Sequence, residues 1–107
     1  MTGPRVLPAL TEKQFMAQVV DLAQLYRWKT FHAFLSIHSP AGWPDLALCR
    51  VDKHTGAARL VVAELKSEKG KVSDAQWMWL DLLSRVPGVE TYIWRPADTD
   101  EIVKVLR

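Results

Sequence analysis

The sequence predicts an α/β sandwich, a mixed sheet flanked by helices in the order αβββαβα. Two capping boxes, Thr11-Glu12-Lys13-Gln14 and Ser73-Asp74-Ala75-Gln76, each open a stretch with apolar residues at helical spacing. Three β-branched and aromatic runs lie between those helices and a fourth follows the second helix. A helix before a three-strand meander, then a helix crossing to another strand, gives a mixed sheet between layers of helix.

The first helix is expected over about 12–26. Phe15, Val19, Leu22 and Tyr26 form one face, Met16, Val20 and Ala23 widen it, and Leu10 can staple Phe15. Trp28 to Ile37 lacks Gly and Pro and reads as a strand, and Ser39-Pro40-Ala41-Gly42-Trp43-Pro44 reads as a loop. Asp45–Val51 is a second strand, Asp52–Gly56 a turn, and Arg59–Lys66 a third strand, apolar enough through Leu60–Ala63 to be buried on both faces. A charged loop, 67–72, leads to the second helix, where Ala75, Trp79, Leu82 and Val86 share a face until Pro87-Gly88 stops it. Val89–Arg95 is the fourth strand, and Asp98 is placed to cap a short last helix with Ile102, Val103, Val105 and Leu106 inward.

The 107 residues suffice for one domain, with 49% hydrophobic and 24% charged residues, so a disordered tail or a fibre is excluded. A lone cysteine, Cys49, allows no intramolecular disulfide and no cysteine-based zinc site, which points to a reducing, cytoplasmic setting. No apolar run approaches a membrane span; Met1–Arg5 is not followed by an apolar signal-peptide core and Thr2 separates Met1 from Gly3, so neither secretion nor myristoylation is expected. The net charge of +2 is too small to argue for nucleic acid by itself, although residues 1–59 carry seven Lys/Arg against four Asp/Glu.

One pattern carries chemistry. Pro44-Asp45 enters the second strand, and Glu64-Leu65-Lys66 ends the third. Alternation puts Glu64 and Lys66 on one side of the strand and Leu65 on the other. In an antiparallel hairpin the start of one strand lies beside the end of the next, so Asp45 falls next to Glu64. Two hard carboxylates, with the Leu65 carbonyl as a third donor, suit Mg²⁺ or Mn²⁺. Lys66 is then placed to orient a water or to stabilise negative charge developing on a phosphate. The same residues also fit an ordinary solvated strand face. Against that, the Glu-x-Lys ends an apolar buried run, where charge is expensive unless it is used.

Gly42-Trp43-Pro44-Asp45-Leu46, Ala63-Glu64-Leu65-Lys66-Ser67-Glu68-Lys69-Gly70 and Ser73-Asp74-Ala75-Gln76-Trp77 resemble the VRR-NUC family, virus-type replication-repair nucleases within the PD-(D/E)xK superfamily. The resemblance runs from Glu12 to Trp94-Arg95-Pro96, and the αβββαβ order is that superfamily's core. It implies that Asp45 and Glu64 are metal ligands, that Lys66 is the catalytic lysine and that Gln76 faces the site. It implies an acidic ligand from the first helix as well, for which Glu12 is the best match and Gln14, Gln18 and Asp21 are alternatives. The activity implied is a Mg²⁺- or Mn²⁺-dependent DNA endonuclease; the family's small members imply a homodimer acting on branched or four-way-junction DNA in a phage or prophage setting. An exonuclease, or a nuclease domain in a larger complex, would use the same site. The alternative class is a non-catalytic nucleic-acid-binding or assembly module that keeps the fold.

Other residues have two readings each. His38, Lys69 and Lys71 are candidates for contacts to DNA phosphates, or are plain polar surface. Gln76 faces the site or only completes its capping box, and Glu12 is a ligand or only a first-turn acid. Trp43 stacks on a base or packs in its loop. His32 and His54 lack ligand spacing, Cys49 is expected in the core, and Trp77 and Trp79 fall on opposite sides of their helix, one inward and one outward. Five Trp are more than one small core needs, which fits an interface.

Overall fold

The computed structural model describes residues 9–32 and 41–107. Helix α1 (Glu12–Leu25) leads into β1 (Lys29–His32), β2 (Leu46–Val51) and β3 (Ala58–Leu65). Then follow α2 (Asp74–Ser84), β4 (Val89–Trp94), a 3-10 turn at Pro96–Asp98 and α3 (Thr99–Leu106). The sheet order is β1-β2-β3-β4, antiparallel across the first two pairings and parallel between β3 and β4. The helix between β3 and β4 supplies the crossover that a parallel pair requires. This is the mixed α/β architecture that the sequence predicts.

Both capping boxes form. The Thr11 hydroxyl accepts from the Gln14 N–H and the Gln14 side chain accepts from the Thr11 N–H; Ser73 and Gln76 do the same for α2. Phe15, Val19 and Ala23 turn inward from α1 and meet Leu46 and Leu48 of β2, Val61, Ala63 and Leu65 of β3, Trp94 of β4, and Ile102 and Leu106 of α3. With a two-residue period, Leu60, Val62 and Glu64 face the other side of the sheet. Val62 and Glu64 are also buried, so β3 is covered on both faces through its second half.

Some expectations shift. Cys49 is exposed rather than in the core, because the alternation that buries Leu46 and Leu48 turns it outward. The inward side of α2 centres on Leu80, its only fully buried residue, instead of on Trp79, Leu82 and Val86. Leu82 and Val86 are about half exposed, because a single helix against a sheet edge buries a narrower stripe than the apolar residues offer. Asp98 does not cap α3 with its side chain; its carboxylate accepts from the Arg95 N–H at 2.8 Å and closes the 3-10 turn. His38 and the end of the predicted first strand lie outside the described residues.

The end of α1 carries strain. The Arg27 N–H donates to the Gln24 carbonyl and the Trp28 N–H to the Ala23 carbonyl, which is a Schellman closure. That closure needs a left-handed residue after the cap, and Arg27 fills the place at φ 68°, where glycine has no steric penalty. Arg27→Gly is therefore expected to stabilise the protein by about 1 kcal/mol. Chemical denaturation checks this, since the midpoint should rise with an unchanged slope.

Candidate active site

The site forms where β2 begins and β3 ends. The antiparallel register pairs Leu46 with Ala63, and one step beyond it Asp45 stands across from Glu64. An Asp45 carboxylate oxygen accepts from the Leu65 N–H at 2.9 Å, which ties the loop carboxylate to the end of β3. Leu65 itself points into the core on the sheet's other face, as the alternation requires.

Glu64 is 1% exposed and Lys66 8%, the two charged side chains that are buried among the described residues. One Glu64 oxygen, Oε1, accepts from the Gln76 side-chain amide at 2.9 Å and lies 3.5 Å from the Lys66 ammonium. The other, Oε2, is buried with no hydrogen-bond partner. Burial, and then the neighbouring Asp45 carboxylate, push the Glu64 carboxyl up to about 8, against a downward pull from Lys66. The fold thus places two carboxylates where they cannot both be charged at low cost.

This arrangement fits a hard divalent cation. The orphaned, buried Glu64 oxygen beside a second carboxylate is what a bound cation would satisfy, and oxygen donors match Mg²⁺ or Mn²⁺. Among the described residues no three His, Cys, Asp or Glu side chains converge to hold a metal, so the protein offers a two-carboxylate centre. A Mg²⁺ site of this kind keeps several water ligands or takes phosphate oxygens.

The remaining candidate residues divide. Gln76 has both of its sequence readings at once: its side-chain oxygen completes the capping box while its amide holds Glu64. Glu12 is exposed at the start of α1 but close to the site. A β-carbon on Gly70 would lie 3.4 Å from both Glu12 Oε1 and Lys66 Cδ, so both side chains border Gly70. Lys69 and Lys71 are exposed on the same loop. Arg95 fixes that loop by donating to the Ser67 carbonyl at 2.6 Å. His54 is exposed in the β2–β3 turn, and His32 is half-buried on β1. Trp77 is exposed, whereas Trp79 packs edge-on against Trp43 with 4.9 Å between ring centroids, not in the core.

Sequence reasoning missed the contacts that support the loop before Asp45. Trp79 donates its indole N–H to the Ala41 carbonyl at 3.1 Å, and Gly42 rests directly on the backbone of α2. The only local signal was the Gly-Trp-Pro composition of the loop, because Trp43 and Trp79 are far apart in the chain.

The buried Glu64 sets a pH dependence. A carboxyl at about 8 in the folded protein, against an ordinary 4.5, holds a proton that the unfolded chain releases between those values. Stability of the metal-free protein is thus expected to fall as pH rises through this window and to level off above it. Thermal melts at about pH 5 and about pH 8.5 check the sign, and Glu64→Gln should flatten the dependence.

No family model and no curated protein matches the chain. Among solved structures it is similar to a protein described as a VRR_NUC domain protein, with a TM-score of 0.65 and 19% sequence identity over 92% of this chain and 87% of that one. The chain therefore has the fold of a VRR_NUC domain over nearly its whole length. No helix among the described residues is long and apolar enough to cross a membrane.

Proposed function

We propose that the chain is a VRR-NUC nuclease that hydrolyses DNA phosphodiesters with Mg²⁺ or Mn²⁺. The observation that carries this reading is the buried Glu64, with one oxygen unpartnered beside Asp45 and the other held by Gln76 and close to Lys66. A structural salt bridge would pair the carboxylate fully; a site awaiting a cation leaves an oxygen open. The likeness in fold to a VRR_NUC domain protein supports the same reading.

Asp45, Glu64 and the Leu65 carbonyl would hold the ion, Glu12 would join them only by moving in from the start of α1, and the ion would supply an acidified water and neutralise charge on the phosphate. Gln76 fixes the rotamer of Glu64, and Leu65 fixes that of Asp45 through its N–H. Lys66 offers a compact ammonium at the same place, suited to orienting the attacking water or balancing the charge that develops on the phosphate. Lys69 and Lys71, with His38, would contact backbone phosphates, which positions a substrate without reading its sequence.

The substrate in this reading is branched DNA, and the working form is a homodimer inside a cell, in a phage or prophage setting. One such centre cuts one strand, and two-fold pairing would present two centres at a fixed spacing. Met78 and Leu82 on the outer side of α2, with Val86 just past its end, are about half exposed and offer apolar surface for that pairing. Cleavage of linear, flapped and four-way-junction DNA with Mg²⁺, Mn²⁺ or EDTA tests the reaction and the substrate, and light scattering tests the dimer. Junctions cut faster than linear duplex, in metal only, are the expected result; a monomer that cuts both alike would remove the branched-DNA and dimer parts of the proposal.

A second reading is a nucleic-acid-binding or assembly module that keeps the fold. It draws on the two-carboxylate count, since no third acidic side chain converges among the described residues. A folded protein that shifts DNA in a gel yet leaves it intact with either metal would favour it.

A further inference from the structure

We propose that Trp79 is a positioning residue of the candidate site, holding Asp45 in place through the segment Ala41–Pro44. The proposal rests on the nuclease reading for its purpose, though not for its geometry. Asp45 enters β2 from irregular chain, and a loop carboxylate has no fixed position of its own. Here the chain before it is fixed to α2 at three points. The Trp79 indole N–H donates to the Ala41 carbonyl at 3.1 Å. The Trp43 ring stands edge-on to Trp79, at 78° between planes. Gly42 lies so close to α2 that a β-carbon there would come within 2.4 Å of the Ala75 carbonyl carbon and 2.7 Å of the Gln76 nitrogen, at a φ of +85° that disfavours side chains in any case.

All three contacts fall on the opening turns of α2, the stretch that also carries Gln76, and Gln76 holds Glu64. One helix segment therefore references both carboxylates, Glu64 directly and Asp45 through the loop. Mg²⁺ demands near-ideal octahedral geometry, so a drift of one carboxylate against the other weakens the site. Trp43 and Trp79 also lie outside the buried core cluster, so their contact adds little to the packing that holds the sheet and helices together. Pro44, buried just before Asp45, passes the constraint on.

The test uses Trp79→Phe, which keeps an aromatic ring and removes the N–H. A readout independent of metal is hydrogen exchange at the Leu65 amide, whose acceptor is Asp45. In the metal-free Trp79→Phe protein this amide is expected to exchange about 10-fold faster, while the Val61 amide in the middle of β3 stays as in wild type. Mn²⁺ affinity by calorimetry should fall about 10-fold and kcat by a similar factor, with KM for DNA unchanged, the scale of loss when a ligand's support is removed. Unchanged Leu65 exchange in Trp79→Phe overturns the proposal, as does faster exchange at Val61 and Leu65 alike, which would mean general loosening. A wild-type protein that neither binds Mn²⁺ nor cuts DNA refutes the nuclease reading instead, and Leu65 exchange still decides whether Trp79 holds Asp45.

Discussion

Asp45→Ala and Glu64→Ala are each expected to lower metal-dependent DNA cleavage by on the order of 10³-fold or more, the scale of losing one member of a catalytic unit. The fold should persist in both. Asp45 stands at the mouth of β2 and makes one hydrogen bond to the backbone, so its loss leaves the core intact. Burial is the main cause that pushes Glu64 up to about 8 and Asp45 the second, so removing Asp45 takes away an unfavourable neighbour, and the metal-free Asp45→Ala protein should melt no lower than wild type at neutral pH. Lys66→Ala should keep metal affinity and lose rate, because the ammonium is not a ligand. The double variant Asp45→Ala/Glu64→Ala should cut scarcely less than either single one, since residues acting as a unit are not additive. Single-turnover cleavage alongside circular dichroism of each variant separates lost chemistry from lost fold.

The second large effect concerns metal and stability. A ligand that binds only the folded state stabilises it by ~2.7 kcal/mol at a hundredfold excess over its dissociation constant. For a domain of this size that corresponds to a rise in Tm of roughly 10 °C or more. Mn²⁺ should produce such a rise in wild type, and Glu64→Ala should abolish it. The rise should also grow with pH, because metal competes with the proton that Glu64 holds up to about 8. A Mn²⁺ shift of equal size in Glu64→Ala would place the metal elsewhere.

The fold was legible where local chemistry and periodicity agree. Thr11-x-x-Gln14 and Ser73-x-x-Gln76 announce both long helices, and the apolar run Leu60–Ala63 ending in Glu64 announces the strand that both helical layers cover. Hairpin pairing then put Asp45 beside Glu64 without any tertiary information beyond antiparallel register. Legibility ended where a side chain's place depends on distant chain. The face of α2 could not be read, because Ala75, Trp79, Leu82 and Val86 are as periodic as the side that packs; only contact with β4 chooses. Cys49 went outward because β2 is covered on one face at that point, which its composition does not reveal. The sequence cannot choose between a cap and a contact to Glu64 for Gln76, because a single amide has a donor and an acceptor end, and the fold pairs one with Glu64 and the other with the Ser73 N–H. The seating of Gly42 on α2 and the Trp79 hydrogen bond to Ala41 left no local trace beyond the Gly-Trp-Pro composition of the loop.

The most direct test of the account is the rate of four-way-junction cleavage by the wild-type protein as Mn²⁺ is raised from an EDTA baseline, with Asp45→Ala measured beside it. No cleavage in EDTA, a saturable rise with Mn²⁺ in wild type and no rise in Asp45→Ala are expected. Cleavage that persists in EDTA, or an Asp45→Ala protein that cuts as fast as wild type, would contradict it.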